Sequence, residues 1–336
     1  MSTNFTKPNL SPKVLFSATR NLLEGLFWIP SIGLWLLYPA RWLTGDSLLP
    51  VRMTAYILAW LLLLFLPLLF FAWMTRRKWL ALAVASSILI IVFTYVPLYL
   101  PNRPTPSPED GFSVKVMSYN LHGIPEVGEI VEVIRRENPD VLLIQECSPA
   151  LCSPLFHGLD DLYPYKDMVI KDFGQAAFSR YPMKRTSAEV DQGRTQKLII
   201  KAPQGLAAVW NIHPIPPFLI PPEQYDAQIS ALAADIAREK GPLIVAGDLN
   251  ATDQSEAYRK INRYLTDAYW EAGWGVGFSY PAPPYTFMDS GFQVGPVWRI
   301  DHIFHSEEFI PTNAYILKDS GGSDHFPIVA EFSLRK

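Results

Sequence analysis

Polar residues that could hold a cation and a phosphate recur where apolar segments end in the C-terminal two thirds of the chain. They stand in MSYNLHG, LLIQECS, WNIHPIPP, VAGDLN, RIDHIF and GSDHFPI. Taken singly, Asn, Asp and Gly at a strand end are common turn residues, and GDLN alone is equally well explained as a turn. Taken together, the carboxylates, amides and histidines form a set suited to a hard cation and a phosphate. The candidates are Asn120, Glu146, His213, Asp248, Asn250, Asp301, Asp324 and His325.

Such a set has the groups that hydrolysis of a phosphoester requires. The reaction needs a positioned water, a base for that water, and positive groups that absorb charge on the phosphoryl oxygens. Oxygen ligands without a Cys or His cluster favour Mg²⁺ or Mn²⁺ over zinc. A carboxylate beside an imidazole raises its pKa, so His325 is a candidate electrostatic clamp or acid.

A mixed α/β domain is predicted to position these residues. Strand-like runs begin at Val114, Asp140, Gln175, Lys197, Leu206, Pro242, Arg299 and Phe326, and helix-like runs begin at Pro125 and Glu223. Strands this numerous, with few helices, favour two packed sheets flanked by helices over one parallel sheet.

The order of the motifs resembles a known superfamily. SYNLHG, QE, GQAAFSRYPM, NIH, GDLN, RIDHIF and SDHFPI are similar to the endonuclease/exonuclease/phosphatase superfamily, from about Phe112 to Phe332. That superfamily includes pancreatic-type deoxyribonucleases, abasic-site endonucleases, neutral sphingomyelinases and inositol polyphosphate 5-phosphatases. The resemblance implies a four-layered αββα sandwich with a divalent-metal site, and it does not indicate which member this is.

The resemblance also implies roles at the metal and at the attacking water. Glu146 is similar to the principal metal carboxylate, with Asn120 beside it, and Asp324 resembles a further, partly water-mediated ligand. Asp248 resembles the residue that orients or deprotonates the attacking water, and Asn250 resembles the residue that holds that group or a phosphate oxygen.

Further roles concern the phosphate. His325 resembles the histidine that contacts the scissile phosphate, Asp301 the carboxylate that keeps it protonated, and His213 the second histidine of deoxyribonuclease-like members. Arg180 is expected to brace a loop, and His302, next to Asp301 on a strand, is expected to face the other way. Structural or surface roles are expected for His122, His157 and His305.

The first hundred residues predict a membrane anchor. No charge lies between Ala55 and Trp73 or between Trp79 and Leu100, and each run can cross about 30 Å of hydrocarbon as a helix. Gly25–Ala40 is a weaker third candidate, with an interfacial helix as its alternative. We therefore expect residues 1–100 to form an anchor with two or three spans. A proline-rich linker at 101–110 and a catalytic domain at 111–336 are expected to follow.

The side of the membrane depends on the number of spans. Arg76, Arg77 and Lys78 lie between the two stronger runs, and short basic loops stay cytoplasmic. Three spans then place the catalytic domain on the extracytoplasmic side, which is the arrangement we predict, whereas two spans favour the reverse.

The distribution of charge along the chain bears on the class of substrate. Residues 1–105 hold nine of the 29 basic and two of the 32 acidic residues, so the rest carries 20 basic against 30 acidic side chains. A domain that grips nucleic acid through its phosphates should be basic. A small or lipid-linked phosphoester is therefore favoured. A nuclease is one alternative, and an inactive membrane-bound binding protein is another.

Two further features leave alternatives open. The apolar, proline-rich stretches IPPFLIPP and YWEAGWGVGFSYPAPP either shape a pocket for such a substrate or are ordinary surface loops. Cys147 and Cys152 either close a small disulfide loop in an oxidising compartment or, as the sequence favours, remain two buried thiols.

Overall fold

The computed structural model describes residues 12–100, 113–121, 126–169, 174–186, 194–203, 205–283 and 295–335, with side chains from residue 25 onward. Two compact units make up the chain, residues 1–94 and residues 95–336. The predicted linker at 101–110 and His122 lie outside the described residues.

The first unit is helical. Its helices are α1 (Pro12–Thr44), α2 (Leu49–Ile57), α3 (Leu61–Met74) and α4 (Lys78–Tyr95), and a 3-10 turn (Val96–Tyr99) follows in the second unit. Among the described residues, one helix is long and apolar enough to cross a bilayer, Lys78–Tyr99, and α2 and α3 reach this threshold only as a pair bent by 82°. Gly25–Ala40 lies inside α1, which contains Pro30 and Pro39.

The run Ala55–Trp73, expected to form one helix, is divided between α2 and α3. Between α2 and α3 the backbone tightens, because Trp60 N donates to Ile57 O and Leu61 N donates to Leu58 O. Three-residue hydrogen bonds of this kind replace the four-residue bonds of an α-helix, and they let the axis turn sharply.

The second unit holds the strands and the remaining helices. Its strands are β1 (Ser113–Asn120), β2 (Val141–Gln145), β3 (Tyr165–Val169), β4 (Gln175–Ser179), β5 (Met183–Arg185), β6 (Thr195–Ala202), β7 (Gly205–Ile212), β8 (Leu243–Asp248), β9 (Thr266–Asp267), β10 (Asp301–His305), β11 (Phe309–Ile316) and β12 (Ile328–Leu334). Its helices are α5 (Val127–Glu137), α6 (Pro149–Gly158), α7 (Pro222–Arg238), α8 (Glu256–Ile261) and α9 (Ala268–Ala272).

The strands form two mixed sheets. One has the order β11-β12-β1-β2-β4-β3 and the other β5-β6-β7-β8-β10-β9. In each sheet one central pair is parallel, β1 with β2 and β7 with β8, and the neighbouring pairs are antiparallel. Helix α5 joins the first parallel pair and helix α7 joins the second, so each pair is a strand–helix–strand unit.

Apolar side chains fill the space between the sheets and beneath the helices. Val116 and Leu143 of one sheet and Val209 and Ile244 of the other belong to a single buried cluster. A second cluster packs α5 and α6 on the first sheet, and a third packs α7 and α8 on the second. The predicted sandwich of two mixed sheets flanked by helices is therefore confirmed.

Four strands were not predicted from the sequence, each for a local reason. β3 (YKDMV) and β5 (MKR) lie at sheet edges with partly exposed, charged side chains, so they lack an apolar pattern. β9 has only two residues. β11, also an edge strand, contains Pro311 and a register shift just after it, as edge strands tolerate.

The two cysteines are paired. Cys147 and Cys152 form a disulfide, and their Cα atoms lie 5.3 Å apart. This corrects the expectation of two buried thiols. The physical reason is that Cys147 comes directly before the turn that begins α6 and Cys152 lies in the first turn of that helix, which brings their Cα atoms into the range that a disulfide requires.

Candidate active site

The C-terminal ends of the parallel strands in both strand–helix–strand units lie at the same edge of the sandwich. Asn120 ends β1 and Glu146 follows β2, while His213 follows β7 and Asp248 ends β8. β10 runs antiparallel to β8 and begins at Asp301, whose register partner is Asp248. Polar side chains from both sheets therefore meet at one edge of the sandwich.

The centre of the site joins the two sheets through a single amide. Asn120 Nδ2 donates to Asp248 Oδ2 at 3.0 Å and to Glu146 Oε1 at 3.3 Å. His213 Nε2 lies 3.4 Å from Glu146 Oε1 and 3.8 Å from Asp248 Oδ2. Two carboxylates and an imidazole thus surround one amide group.

A histidine and its carboxylate partners complete the cluster. His325 Nδ1 lies 2.9 Å from Asp301 Oδ2, and the other ring nitrogen, Nε2, lies 3.9 Å from Asp248 Oδ2 and 4.0 Å from Asp324 Oδ1. The imidazole is buried. Asp301 therefore holds the ring so that its second nitrogen faces Asp248 and Asp324.

The turn after β8 is stabilised by hydrogen bonds of Asp248 and Asn250 and by a glycine that precedes them. Asp248 Oδ1 accepts a hydrogen bond from Asn250 N at 2.7 Å, and Asn250 Nδ2 donates to Pro214 O at 3.1 Å. A Cβ on Gly247, where φ is +153°, would lie 1.9 Å from Ile212 O, so β7 and β8 can pair closely only with glycine there. The turn thereby fixes Asp248 and ties its own end to the loop after β7.

Two site residues have left-handed backbone conformations. Glu146 has φ +58° and Asn250 has φ +55°. Such angles are uncommon in residues with a side chain, and they concentrate at sites where the fold holds a functional group in a fixed direction. Both residues follow directly on a central strand or on the turn that ends it, where the backbone must turn sharply.

The surroundings give His325 and Asp248 unusual acidities. Burial lowers the pKa of His325, but the charge and hydrogen bond of Asp301, followed by the charges of Asp248 and Asp324, outweigh it and raise that pKa to about 10. Burial raises the pKa of Asp248 to about 7, although the His325 charge opposes this. His325 is therefore a cation at neutral pH, and Asp248 can accept a proton there.

His213 has the opposite character. Burial lowers its pKa to about 4, and the nearby charge of Glu146 only partly offsets this. The ring is therefore neutral at pH 7, so one of its nitrogens can donate a hydrogen bond and the other can accept one, without adding charge. The two histidines of the site thus differ in charge because nearby carboxylate charges outweigh burial at His325 and only partly offset it at His213.

Three residues of the site were missed from the sequence. Ser279 Oγ donates to Asp301 Oδ2 at 2.6 Å, and Ser323 Oγ donates to Asn120 O at 2.7 Å and accepts from His325 N at 3.0 Å. The Tyr280 ring lies 4.6 Å from the His325 ring, centroid to centroid. Ser323 is the first residue of the SDHFPI motif, but nothing local to the segment around Ser279 marks it as part of the site.

The structure brings all eight predicted residues together and places the expected structural residues elsewhere. His302 contacts Asp267 and Ala251 O on the other face of β10, and Arg180 pairs with Asp140 at 3.1 Å. His305 Nε2 lies 3.1 Å from a Glu271 oxygen and His157 Nδ1 lies 2.7 Å from Ser153 O.

The site suits a divalent cation. Asp248, Asp301 and His325 have side-chain atoms that lie within 4.8 Å of one another. Because the His325 ring is protonated at neutral pH, the ligand atoms available there are the carboxylate oxygens. Asp301 Oδ1 is buried and has no hydrogen-bond partner among the residues that the structure describes. Glu146 adds another carboxylate near Asp248, so the pocket concentrates negative charge and oxygen donors, as a hard cation requires.

Comparison with known proteins agrees with this geometry. The sequence profile of the Endonuclease/Exonuclease/phosphatase family matches residues 117–325, more than half of the chain. The chain belongs to this family. Its members are generally hydrolases of phosphoester bonds and typically use divalent metals. No curated protein sequence matches the chain.

Solved structures of the family share its fold. A family protein from Bacteroides thetaiotaomicron is 18% identical, with a TM-score of 0.50 over 67% of this chain and 99% of its own. One from Beutenbergia cavernae is 20% identical, with a TM-score of 0.51 over 66% and 72%. TDP2 from Caenorhabditis elegans is 20% identical, with a TM-score of 0.53 over 68% and 77%. At these identities the likeness extends to the fold alone.

Proposed function

We propose that this family member is a membrane-anchored, divalent-metal-dependent phosphodiesterase or phosphatase that acts on a small or lipid-linked phosphoester. The observation that supports this is the meeting of eight chemically suited side chains at one edge of the sandwich, where the Asn120 amide joins Glu146 of one sheet to Asp248 of the other. In this proposal residues 1–100 are the anchor, 101–110 the linker and 111–336 the catalytic domain.

Three residues would hold the metal. Glu146, Asn120 and Asp324 would bind Mg²⁺ or Mn²⁺, which when bound polarises a phosphoryl oxygen and offsets its developing charge. Their donor atoms are oxygens, and the concentration of carboxylates around Asp248 gives a cation a favourable electrostatic environment.

The chain's own groups would move the protons and absorb charge. Asp248, held by the backbone N–H of Asn250 at 2.7 Å, would take the proton of the attacking water. His325 would face the scissile phosphate as a cation, since Asp301 keeps its ring charged. His213, neutral and next to Glu146, would donate a hydrogen bond to a phosphate oxygen. Asn250 would hold Asp248 in the direction that this transfer needs.

Membrane attachment is supported by the helices of the first unit. Lys78–Tyr99 has a mean hydropathy of 2.3 over its most apolar window, and large side chains such as Phe70, Trp73, Leu82 and Phe93 are more than half exposed. Such exposure would be costly in water and favourable in hydrocarbon. The Cys147–Cys152 disulfide favours an oxidising, extracytoplasmic location for the catalytic domain.

Hydrolysis of a simple phosphodiester tests the proposal. The full chain in detergent micelles should cleave bis(4-nitrophenyl) phosphate with added Mg²⁺ or Mn²⁺ and lose the activity in EDTA. Glu146→Ala should lower turnover a hundredfold or more, on the order of what a metal or oxyanion ligand contributes. Glu256→Ala, which removes a carboxylate of α8 outside the site, is the matched control and should keep full activity.

Two outcomes would contradict the proposal. If Glu146→Ala turns over substrate as fast as the unmodified chain, Glu146 does not bind a catalytic metal. If EDTA leaves the activity unchanged, the reaction does not depend on a metal. A single-stranded and a double-stranded oligonucleotide assayed in parallel would identify a nuclease, whose rate should also fall steeply between low and physiological salt.

A further inference from the structure

The loop between β7 and α7 places an apolar tip beside the site. It begins directly after His213, and Phe218 and Leu219 at its tip are 57% and 72% exposed. The base of the loop is attached to the site, because Asn250 Nδ2 donates to Pro214 O at 3.1 Å. The exposed tip therefore belongs to a loop whose base is anchored beside the proposed catalytic groups.

The composition of this loop, residues 214–222, is unusual for a segment in water. Its sequence is PIPPFLIPP, nine residues without one charged or polar side chain. Five of the nine are proline, which restricts the backbone before any partner binds. Ordering the loop against a partner would therefore cost little conformational entropy.

The backbone of the loop also has few groups that need water. Proline has no N–H, so only Ile215, Phe218, Leu219 and Ile220 carry a donor. Ile215 N donates to Gln228 Oε1 at 2.8 Å, and Leu219 N donates to Pro216 O at 3.0 Å. Unsatisfied N–H groups are what makes irregular backbone costly in a lipid environment. In this loop most positions either are proline and lack an N–H or have an N–H that donates a hydrogen bond within the protein.

We propose that loop 214–222 docks onto the lipid–water interface and directs the adjacent site to phosphoesters carried by lipids. The inference rests on the proposed hydrolase function and specifies its substrate class. A lipid surface is favoured as the partner because the chain has a candidate bilayer span, Lys78–Tyr99. The uncharged loop also offers nothing to a polyanion such as nucleic acid.

Two substrates that differ only in their alkyl group test this specificity. Hexadecyl 4-nitrophenyl phosphate in phosphatidylcholine vesicles and methyl 4-nitrophenyl phosphate in solution undergo the same reaction. Water loses a proton to Asp248 and its oxygen bonds to phosphorus, the bond from phosphorus to the aryl oxygen breaks, and 4-nitrophenolate leaves with the bonding electrons. A difference between the two rates therefore reports access to the lipid and not the chemistry.

The variants compare the tip with a matched apolar position. In the full chain, F218S/L219S should lose about 30-fold in kcat/KM on the hexadecyl ester, the scale set by apolar transfer of two half-exposed side chains. It should lose no more than about twofold on the methyl ester. Leu206→Ser is the control, because Leu206 is 63% exposed but lies at the other end of β7, and it should change neither rate. Equal losses on both esters, or none, would overturn the inference.

A measurement of depth separates this inference from the proposed function. Leu219→Cys and Leu206→Cys can each carry an environment-sensitive fluorophore, because Cys147 and Cys152 are bonded to each other and buried. With the full chain in phosphatidylcholine vesicles, emission at position 219 should shift to the blue and be quenched by shallow spin-labelled lipid, while emission at 206 should remain water-like. Water-like emission at 219 would refute the docking surface whatever the activity. A buried label with neither ester cleaved would instead refute the hydrolase.

Discussion

Arg299→Met should destabilise the second unit strongly, although Arg299 contacts none of the proposed catalytic groups directly. The guanidinium is completely buried two residues before Asp301, at the start of β10. Its Nη1 donates to Asp267 Oδ2 at 2.7 Å, and its Nη2 donates to Asp253 Oδ2 at 3.0 Å. Methionine fills a similar volume but removes the charge, which leaves two carboxylates in a low-dielectric interior.

The magnitude follows from the burial of both partners. Burial alone would raise the pKa of Asp267, but the charge of Arg299 and the hydrogen bonds of His302 and Arg299 hold it well below its usual range. Removing one member of a buried pair costs about 3 to 5 kcal/mol, because the other charge is left uncompensated. Against a total stability of about 5 to 15 kcal/mol, this loss should be visible in a urea titration of the full chain in detergent, followed by near-ultraviolet circular dichroism.

The pH dependence provides an internal check with a defined sign. In the unmodified chain the pKa of Asp267 is lowered on folding, so its contribution is present above about pH 4, the unfolded value, and is lost as the pH falls further. Without Arg299 the folded pKa should rise above the unfolded one. The loss of unfolding free energy caused by Arg299→Met should therefore become smaller as the pH is lowered towards 4.

A surface pair serves as the matched control. Arg135 pairs with Asp161 on an exposed surface, where such pairs contribute little, and Arg135→Met should leave the urea midpoint unchanged. The reasoning from buried charge is refuted if the unfolding free energy of Arg299→Met lies within about 1 kcal/mol of that of the unmodified chain. It is also refuted if the difference between the two unfolding free energies grows as the pH falls.

Two further perturbations test the site and its surroundings. Asp301→Asn removes the main charge that raises the pKa of His325 to about 10, so the protonated form should be lost at lower pH. The rate on the soluble ester should then begin to fall between about pH 7 and 9, where the unmodified chain should keep its activity. An unchanged descending limb would contradict the role of Asp301. Cys147→Ala/Cys152→Ala should lower the unfolding free energy by about 2 kcal/mol, the loop-entropy value for so short a loop. Thiol titration of the unfolded, unreduced chain should find no free cysteine, and two titratable thiols would refute the pairing.

The sequence was sufficient for the fold class because its signals are local. Apolar runs of strand length, with turn residues at their ends, predict the central strands β1, β2, β7, β8 and β12, and two amphipathic runs predict α5 and α7. These central strands are buried by their neighbours, so their sequences must be apolar. Edge strands such as β3 and β5 have no such requirement, and pairing with a neighbour fixes them only in the folded molecule.

The polar motifs likewise supplied the eight residues that the structure brings together, since each lies at or near the end of a strand that the sequence marks. The sequence could not predict their pairing. That Asn120 bridges Asp248 and Glu146, across 128 and 26 residues of chain, depends on the packing of one sheet against the other. The same holds for the different charge states of His213 and His325, because a pKa is set by burial and by nearby charges, neither of which is a property of the residue alone.

The residues that support the site were decided by tertiary structure alone. Ser279 reaches Asp301 across 22 residues, and Arg299 joins Asp267 to Asp253 beneath the turn after β8. A serine in a loop or an arginine beside a strand has no local pattern that distinguishes these roles from ordinary surface positions. The sequence therefore determined which groups are available for chemistry, because strand periodicity and turn residues are encoded locally. Their distances, charges and supports were decided by long-range packing, which brings together residues that no local pattern connects.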